Sequence, residues 1–170
     1  MTRWDYKSTS DIEKIVDNAV LLNFNVILFQ VRGAASAMYN SSIEPRSELL
    51  SETRPGWDPL AAAIKTAHQA GIELHAWINT YPGWSGDNPP LDINHVYYKH
   101  PDWFMRDIYG KQSELKNGYQ WLSPTHPEVT PYLLSICKEL YENYDIDGLH
   151  LDYIRYPAAT YSYDPPSVHA

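Results

Sequence analysis

Three short apolar runs, at 25–32, 72–79 and 147–152, each follow an amphipathic helical pattern after only two or three residues, and that repeat limits the chain to few folds. Strand and helix in alternation argue for parallel βαβ units, because a crossover helix is the usual way back to a parallel neighbour. Strict alternation sorts each run into two faces. Ile27, Phe29 and Val31 share one face of the first run, with Val26, Leu28, Gln30 and Arg32 on the other. In the second, Leu74, Ala76 and Ile78 face helices, while His75, Trp77 and Asn79 face inward. The third extends through 147–157 as a buried strand, with Leu149 and Leu151 under helices and His150 and Asp152 inside.

The helices announce themselves by their ends. Ser10 with Glu13 reads as a capping box before Ile12, Ile15, Val16, Ala19 and Val20. Asp58 caps and Pro59 opens a second helix that stops at Gly71. Thr125 with Glu128 opens a third, whose stripe runs through Val129, Tyr132, Leu133, Ile136, Cys137, Leu140, Tyr141 and Tyr144. Links from strand to helix are far longer, roughly 25 and 45 residues, than those from helix to strand. Length is thus invested at the carboxyl ends of the strands, where parallel folds place their sites. The longer excursion, 80–124, carries a short helix near 94–100 and a hairpin around Tyr109-Gly110; the tail from Ala158 to Ala170 has no periodicity.

Composition excludes several classes. A formal charge of −8, with the basic residues scattered, offers no footprint for nucleic acid. No apolar run is long enough to span a membrane. The single cysteine, Cys137, falls on a helical stripe and reads as a core residue. No serine elbow, phosphate-cradling glycine loop or CxxC pair is present. Fourteen Tyr and six Trp against three Phe favour rings with a polar handle, which suit sugar faces and half-exposed loops alike.

The inward polar residues gather at the strand ends. A buried carboxylate without a partner is costly, so Asp152 belongs at a mouth where solvent, an arginine or a substrate meets it. It suits a nucleophile or a charge stabiliser. Arg32 and Arg155 suit an anionic group, and Trp77, Trp84 and Tyr153 a stacked ring. Asp152 closing a salt bridge to Arg32 or Arg155 is the purely structural alternative. Glycosidic cleavage needs a second carboxyl group, and Glu44, Asp87, Asp92 and Asp107 are the loop carboxylates available, each also a natural solvated or turn residue. His75, His150 and Asp152 form a weaker, metal-binding alternative.

Across these motifs the chain resembles the bacterial glycosyl-hydrolase-like family 10, whose relatives include enzymes acting on peptidoglycan glycan strands. The resemblance rests on 24–33 with Tyr39 and Glu44-Pro45, on Trp57-Asp-Pro-Leu60, on Leu74-His-Ala-Trp-Ile-Asn79, on His100-Pro-Asp-Trp103, on His126-Pro-Glu-Val129 and on 144–157. It implies an α/β fold of the (β/α)8 TIM-barrel type, cut to about its first four strands over 1–157, with 158–170 as the loop after the fourth. Strand one would end at Arg3-Trp4-Asp5. It further implies a glycosidase, retaining in mechanism, with Asp152 catalytic and Gln30, Arg32, Tyr39, His75, Trp77, Asn79, Trp84, His150, Tyr153 and Arg155 binding an oligo- or polysaccharide. No cofactor is implied, and the family suggests export. Leu122-Ser-Pro124 departs from relatives that carry Asn or Asp before the proline, which puts a polar contact there in doubt. A non-catalytic carbohydrate-binding or assembly module, or a metal-dependent hydrolase, is the competing expectation. Were 170 residues the natural length, a second copy would have to cover the open sheet edges.

Overall fold

A computed structural model describes residues 1–115, 118–161 and 163–168. Among them are helices α1 (Thr9–Leu21), α2 (Pro59–Gln69), α3 (Val96–Lys99), α4 (Val129–Asn143) and α5 (Pro165–Val168). The strands are β1 (Val26–Arg32), β2 (Glu73–Asn79), β3 (Pro82–Ser85), β4 (Tyr119–Trp121) and β5 (Gly148–Asp152). The three predicted strands form one parallel sheet in the order β1-β2-β5, and β3 pairs with β4 antiparallel in a second, two-stranded sheet.

Neither sheet closes, which overturns the expected (β/α)8 barrel: this is a small mixed α/β fold. Closure requires the last strand to return to the first with a consistent tilt and stagger, and a barrel of about eight strands does so. Among the described residues β5 pairs only with β2. Along the free edge of β1 lie the first residues of the chain, where the Met1 amino group donates to Leu28 O (2.9 Å) and Gln30 N donates to Met1 O (3.0 Å).

One face of the parallel sheet carries the core. Ile27, Phe29, Leu74, Ala76 and Ile78 are buried there in one cluster with Ile12 and Val16 of α1, Leu60 and Ala63 of α2, and Leu133, Ile136 and Leu140 of α4. Asp58 caps α2 by accepting from Ala61 N, and Gly71 beyond its end takes φ +72°, as the sequence predicts. The other two caps differ. Ser8, not Ser10, caps α1 and accepts from Asp11 N, while the Asp11 carboxylate accepts from Lys7 N and Ser8 Oγ. The predicted box at Thr125 does not form, because the Thr125 hydroxyl bonds Ser123 and Ser167 and α4 begins only at Val129.

Exposure corrects two further expectations. β5 is an edge strand, with Leu149 and Leu151 38% and 44% exposed where burial under helices was expected. Tyr141 on the predicted stripe of α4 is exposed, and Cys137 is half-buried. The hairpin expected at Tyr109-Gly110 is a lone turn, closed by Asp107 N to Lys111 O; the strands of that excursion are instead β3 and β4. The tail, expected to be a loop without a further helix, includes α5 and is fastened by Asp164, which accepts from Ser123 Oγ at 2.7 Å.

Candidate functional site

Register decides which side chains meet. Gln30, Trp77 and His150 stand in one row across the sheet, and Asn79 and Asp152 are neighbours at its carboxyl end. Asp152 is half-buried. Its Oδ1 accepts from Tyr153 N at 2.7 Å, and Oδ2 has no partner among the described residues. Tyr153 makes the turn out of β5 at φ +55°, a left-handed conformation uncommon for a non-glycine residue. That turn brings its ring 5.4 Å from Tyr119 and 5.6 Å from Trp121, both of β4. Arg155 then lies over both Trp121 (5.3 Å) and Tyr153 (5.2 Å).

The rim continues towards the start of the chain. Asn79 Nδ2 donates to Gly33 O at 3.1 Å and reaches the Tyr119 hydroxyl at 3.5 Å, as does Arg3 Nη2. Gln30 Oε1 accepts from Arg3 N. Three polar atoms of this region, Trp77 Nε1, Asn79 Oδ1 and Gln120 Nε2, are buried with no hydrogen-bond partner among the described residues. Leaving such a group unsatisfied costs about 1–3 kcal/mol.

Of the residues nominated from the sequence, Gln30, Trp77, Asn79, His150, Asp152, Tyr153 and Arg155 occupy this rim and the sheet face below it. The others lie elsewhere. Arg32 is fully buried: Nε donates to Glu44 Oε1 at 2.8 Å, and Nη1 donates to the carbonyls of Asn79, Thr80 and Pro82. Tyr132 of α4 donates to the same Glu44 oxygen at 2.5 Å. Asp152 therefore makes no salt bridge to Arg32; the partner of that arginine is Glu44. Tyr39 is buried and donates to Glu139 Oε2 (2.8 Å), which also accepts from Ser41 Oγ, while Glu139 Oε1 accepts from Ser42 N and Oγ. Burial pushes the Glu139 carboxyl up, but these donors outweigh it and hold the group below its usual range. His75 stands against Gly148, four positions short of Asp152, and faces Glu73 at 3.4 Å. Among the described residues no group of three His, Cys, Asp or Glu side chains is placed to hold a metal ion.

Trp84 lines a separate cavity of about 340 Å³ together with Arg3, Trp4, Glu48 and Asp87. The other three loop carboxylates are committed. Glu44 neutralises Arg32, Asp92 accepts from Asn94 N, and Asp107 accepts from Tyr109 N and Lys111 N in a turn. Ser123, at the departure noted in the sequence, is buried and tied to Asp164. Tyr119, Gln120 and Trp121 escaped the sequence reading, although the alternation of two rings about one glutamine was a strand signal. Arg3 escaped it as a site residue because nothing local marks it.

Fold and rim together define a parallel α/β domain with a carboxylate and a cluster of aromatic rings at the carboxyl ends of its strands. The chain belongs to the glycosyl hydrolase-like 10 family, whose sequence profile matches residues 2–170. It is 33% identical over 149 residues to the glycosyl hydrolase YngK of Bacillus subtilis (strain 168), covering 85% of this chain and 28% of that protein. It is 30% identical over 155 residues to the glycosyl hydrolase DigH of Escherichia coli (strain K12), covering 83% of this chain and 33% of that protein. The chain thus spans about a third or less of these relatives. A solved hypothetical protein from Ruminiclostridium thermocellum ATCC 27405 shares the fold with a TM-score of 0.70 at 22% identity, over 96% of this chain and 80% of that one. The α-L-fucosidase isoenzyme 2 of Paenibacillus thiaminolyticus does so with a TM-score of 0.63 at 21% identity, over 85% of this chain and 20% of that one.

Proposed function

We propose that the chain carries the Asp152 carboxylate of a glycoside hydrolase that cleaves O-glycosidic bonds in a bacterial cell-wall or other amino-sugar-containing glycan. The observation that carries this reading is Asp152 itself, one oxygen fixed by Tyr153 N and the other unengaged, beside the Tyr119, Trp121 and Tyr153 rings. Membership in a glycosyl hydrolase-like family and two relatives named as glycosyl hydrolases support the reaction class.

In the retaining route, the free Asp152 oxygen attacks the anomeric carbon and the bond to the leaving sugar breaks. The leaving oxygen takes a proton from an acid, and water then displaces the carboxylate to release the second product. The backbone donor at Tyr153 keeps Asp152 oriented for attack. The aromatic faces of Tyr119, Trp121 and Tyr153 hold the apolar side of a pyranose.

Release of reducing ends from purified cell-wall glycan tests the proposal, using the protein as encoded at its own locus and its Asp152→Asn variant. Turnover should fall at least about a thousandfold with circular dichroism unchanged. Undiminished turnover removes Asp152 from the chemistry. One observation favours a second reading, glycan binding without cleavage: Glu44, Asp92 and Asp107 are all committed to structural contacts. Retention of glycan on a column of the protein, with no reducing ends released, would select it.

A further inference from the structure

The lining of the cavity at Trp84 does not include Asp152, and the one basic side chain in it is Arg3. That guanidinium is in an unusual state. Arg3 is only 9% exposed, yet it makes no ion pair among the described residues. Its side-chain partners are the face of Trp4, 5.1 Å away, and one long hydrogen bond of 3.5 Å to the Tyr119 hydroxyl. A buried guanidinium ordinarily takes a carboxylate, as Arg32 does here. Arg3 also lies in a slot opened by the missing side chain of Gly33, where an added Cβ would come within 2.0 Å of Nη1.

The rest of the wall supplies what that cation lacks for a hydroxyl-rich ligand. Trp4 is 64% exposed and offers a ring face. Trp84 forms a rigid flank, its Nε1 donating to Asn88 O at 2.9 Å and its ring edge-on to His95 at 5.1 Å. Asp87 is an acceptor, and Glu48 is fixed by accepting from Leu91 N at 2.7 Å. Two acids against one base exclude an acidic sugar. An aromatic face with a guanidinium donor and acceptors in a volume near 340 Å³ suits one small polar ring.

We propose that this cavity is a subsite for a single neutral pyranose unit, distinct from the Asp152 rim and joined to it through Arg3 and Tyr119. It deepens the carbohydrate reading by extending the glycan path from the sheet rim to the start of the chain. Gly33 keeps the slot open, and Arg3 is the donor that spans both places.

Calorimetric titration with the β-1,4-linked tetramer of N-acetylglucosamine tests this, carried out on the Asp152→Asn protein so that the probe stays whole whatever the fate of the catalytic reading. Trp4→Ala should weaken binding roughly tenfold without loss of fold, since the ring is exposed. Gly33→Ala should weaken it several-fold, because the atoms nearest the added methyl belong to the flexible end of Arg3, which it displaces. Unchanged affinity in both variants, with binding lost in Tyr153→Ala, overturns the subsite and leaves the rim intact. No binding by the Asp152→Asn protein also overturns it, and the hydrolytic reading then stands or falls on the turnover assay alone.

Discussion

Arg32 stands opposite Ile78 in the β1–β2 ladder, although Gln30 stands opposite Trp77, so β1 spends two residues where β2 spends one. The irregularity between Gln30 and Arg32 turns Arg32 off the side that carries Gln30 and towards Glu44 and Tyr132 of α4. A one-residue shift in a strand exchanges faces, and this one converts an expected ligand-binding arginine into a structural post.

The Arg32–Glu44 pair is sealed from solvent on both sides. Glu44→Gln should therefore leave a buried guanidinium without its counter-charge and cost about 3–5 kcal/mol, read as a lower urea midpoint. A loss below about 1 kcal/mol would show that the three backbone carbonyls suffice to hold Arg32.

Asp147 anchors β5 to α2 and β2, accepting from Leu74 N at 2.7 Å and meeting His68 Nε2 at 2.8 Å. The Leu74 hydrogen bond, followed by His68, holds its carboxyl below the usual range. A group depressed on folding stabilises the protein above its unfolded value, about 3.9, and loses that contribution as pH falls through its folded value. Asp147→Asn should accordingly lower Tm at pH 7, with the gap to the unaltered protein narrowing below about pH 4. A gap that does not depend on pH would refute the assignment.

Tyr153 holds a left-handed conformation that glycine adopts freely, so the usual ranking of two small residues should invert there. Tyr153→Ala and Tyr153→Gly both remove the ring between Tyr119 and Trp121, and the glycine variant should be the more stable of the two by about 1 kcal/mol. Thermal melts of the pair decide it. Equal stability would mean that the backbone relaxes once the ring is gone.

The pattern of apolar residues in the sequence was enough to place β1, β2 and β5, the helices between them and the buried face of Leu74, Ala76 and Ile78, because period 2 and period 3.6 are local properties of the chain. It also located Asp152 and Asn79 at the carboxyl end of the sheet, since both lie at the end of a run that local alternation defines. The tertiary structure alone decided the rest. Whether the sheet closes depends on what β5 pairs with, and among the described residues only β2 pairs with it. The face taken by Arg32 depends on a register with a strand more than forty residues away. Tyr119 and Trp121 reach Tyr153, and Arg3 reaches Tyr119, across separations of about 30 to more than 100 residues. Such contacts are selected by packing and hydrogen-bond satisfaction across the whole chain, and no local period encodes them.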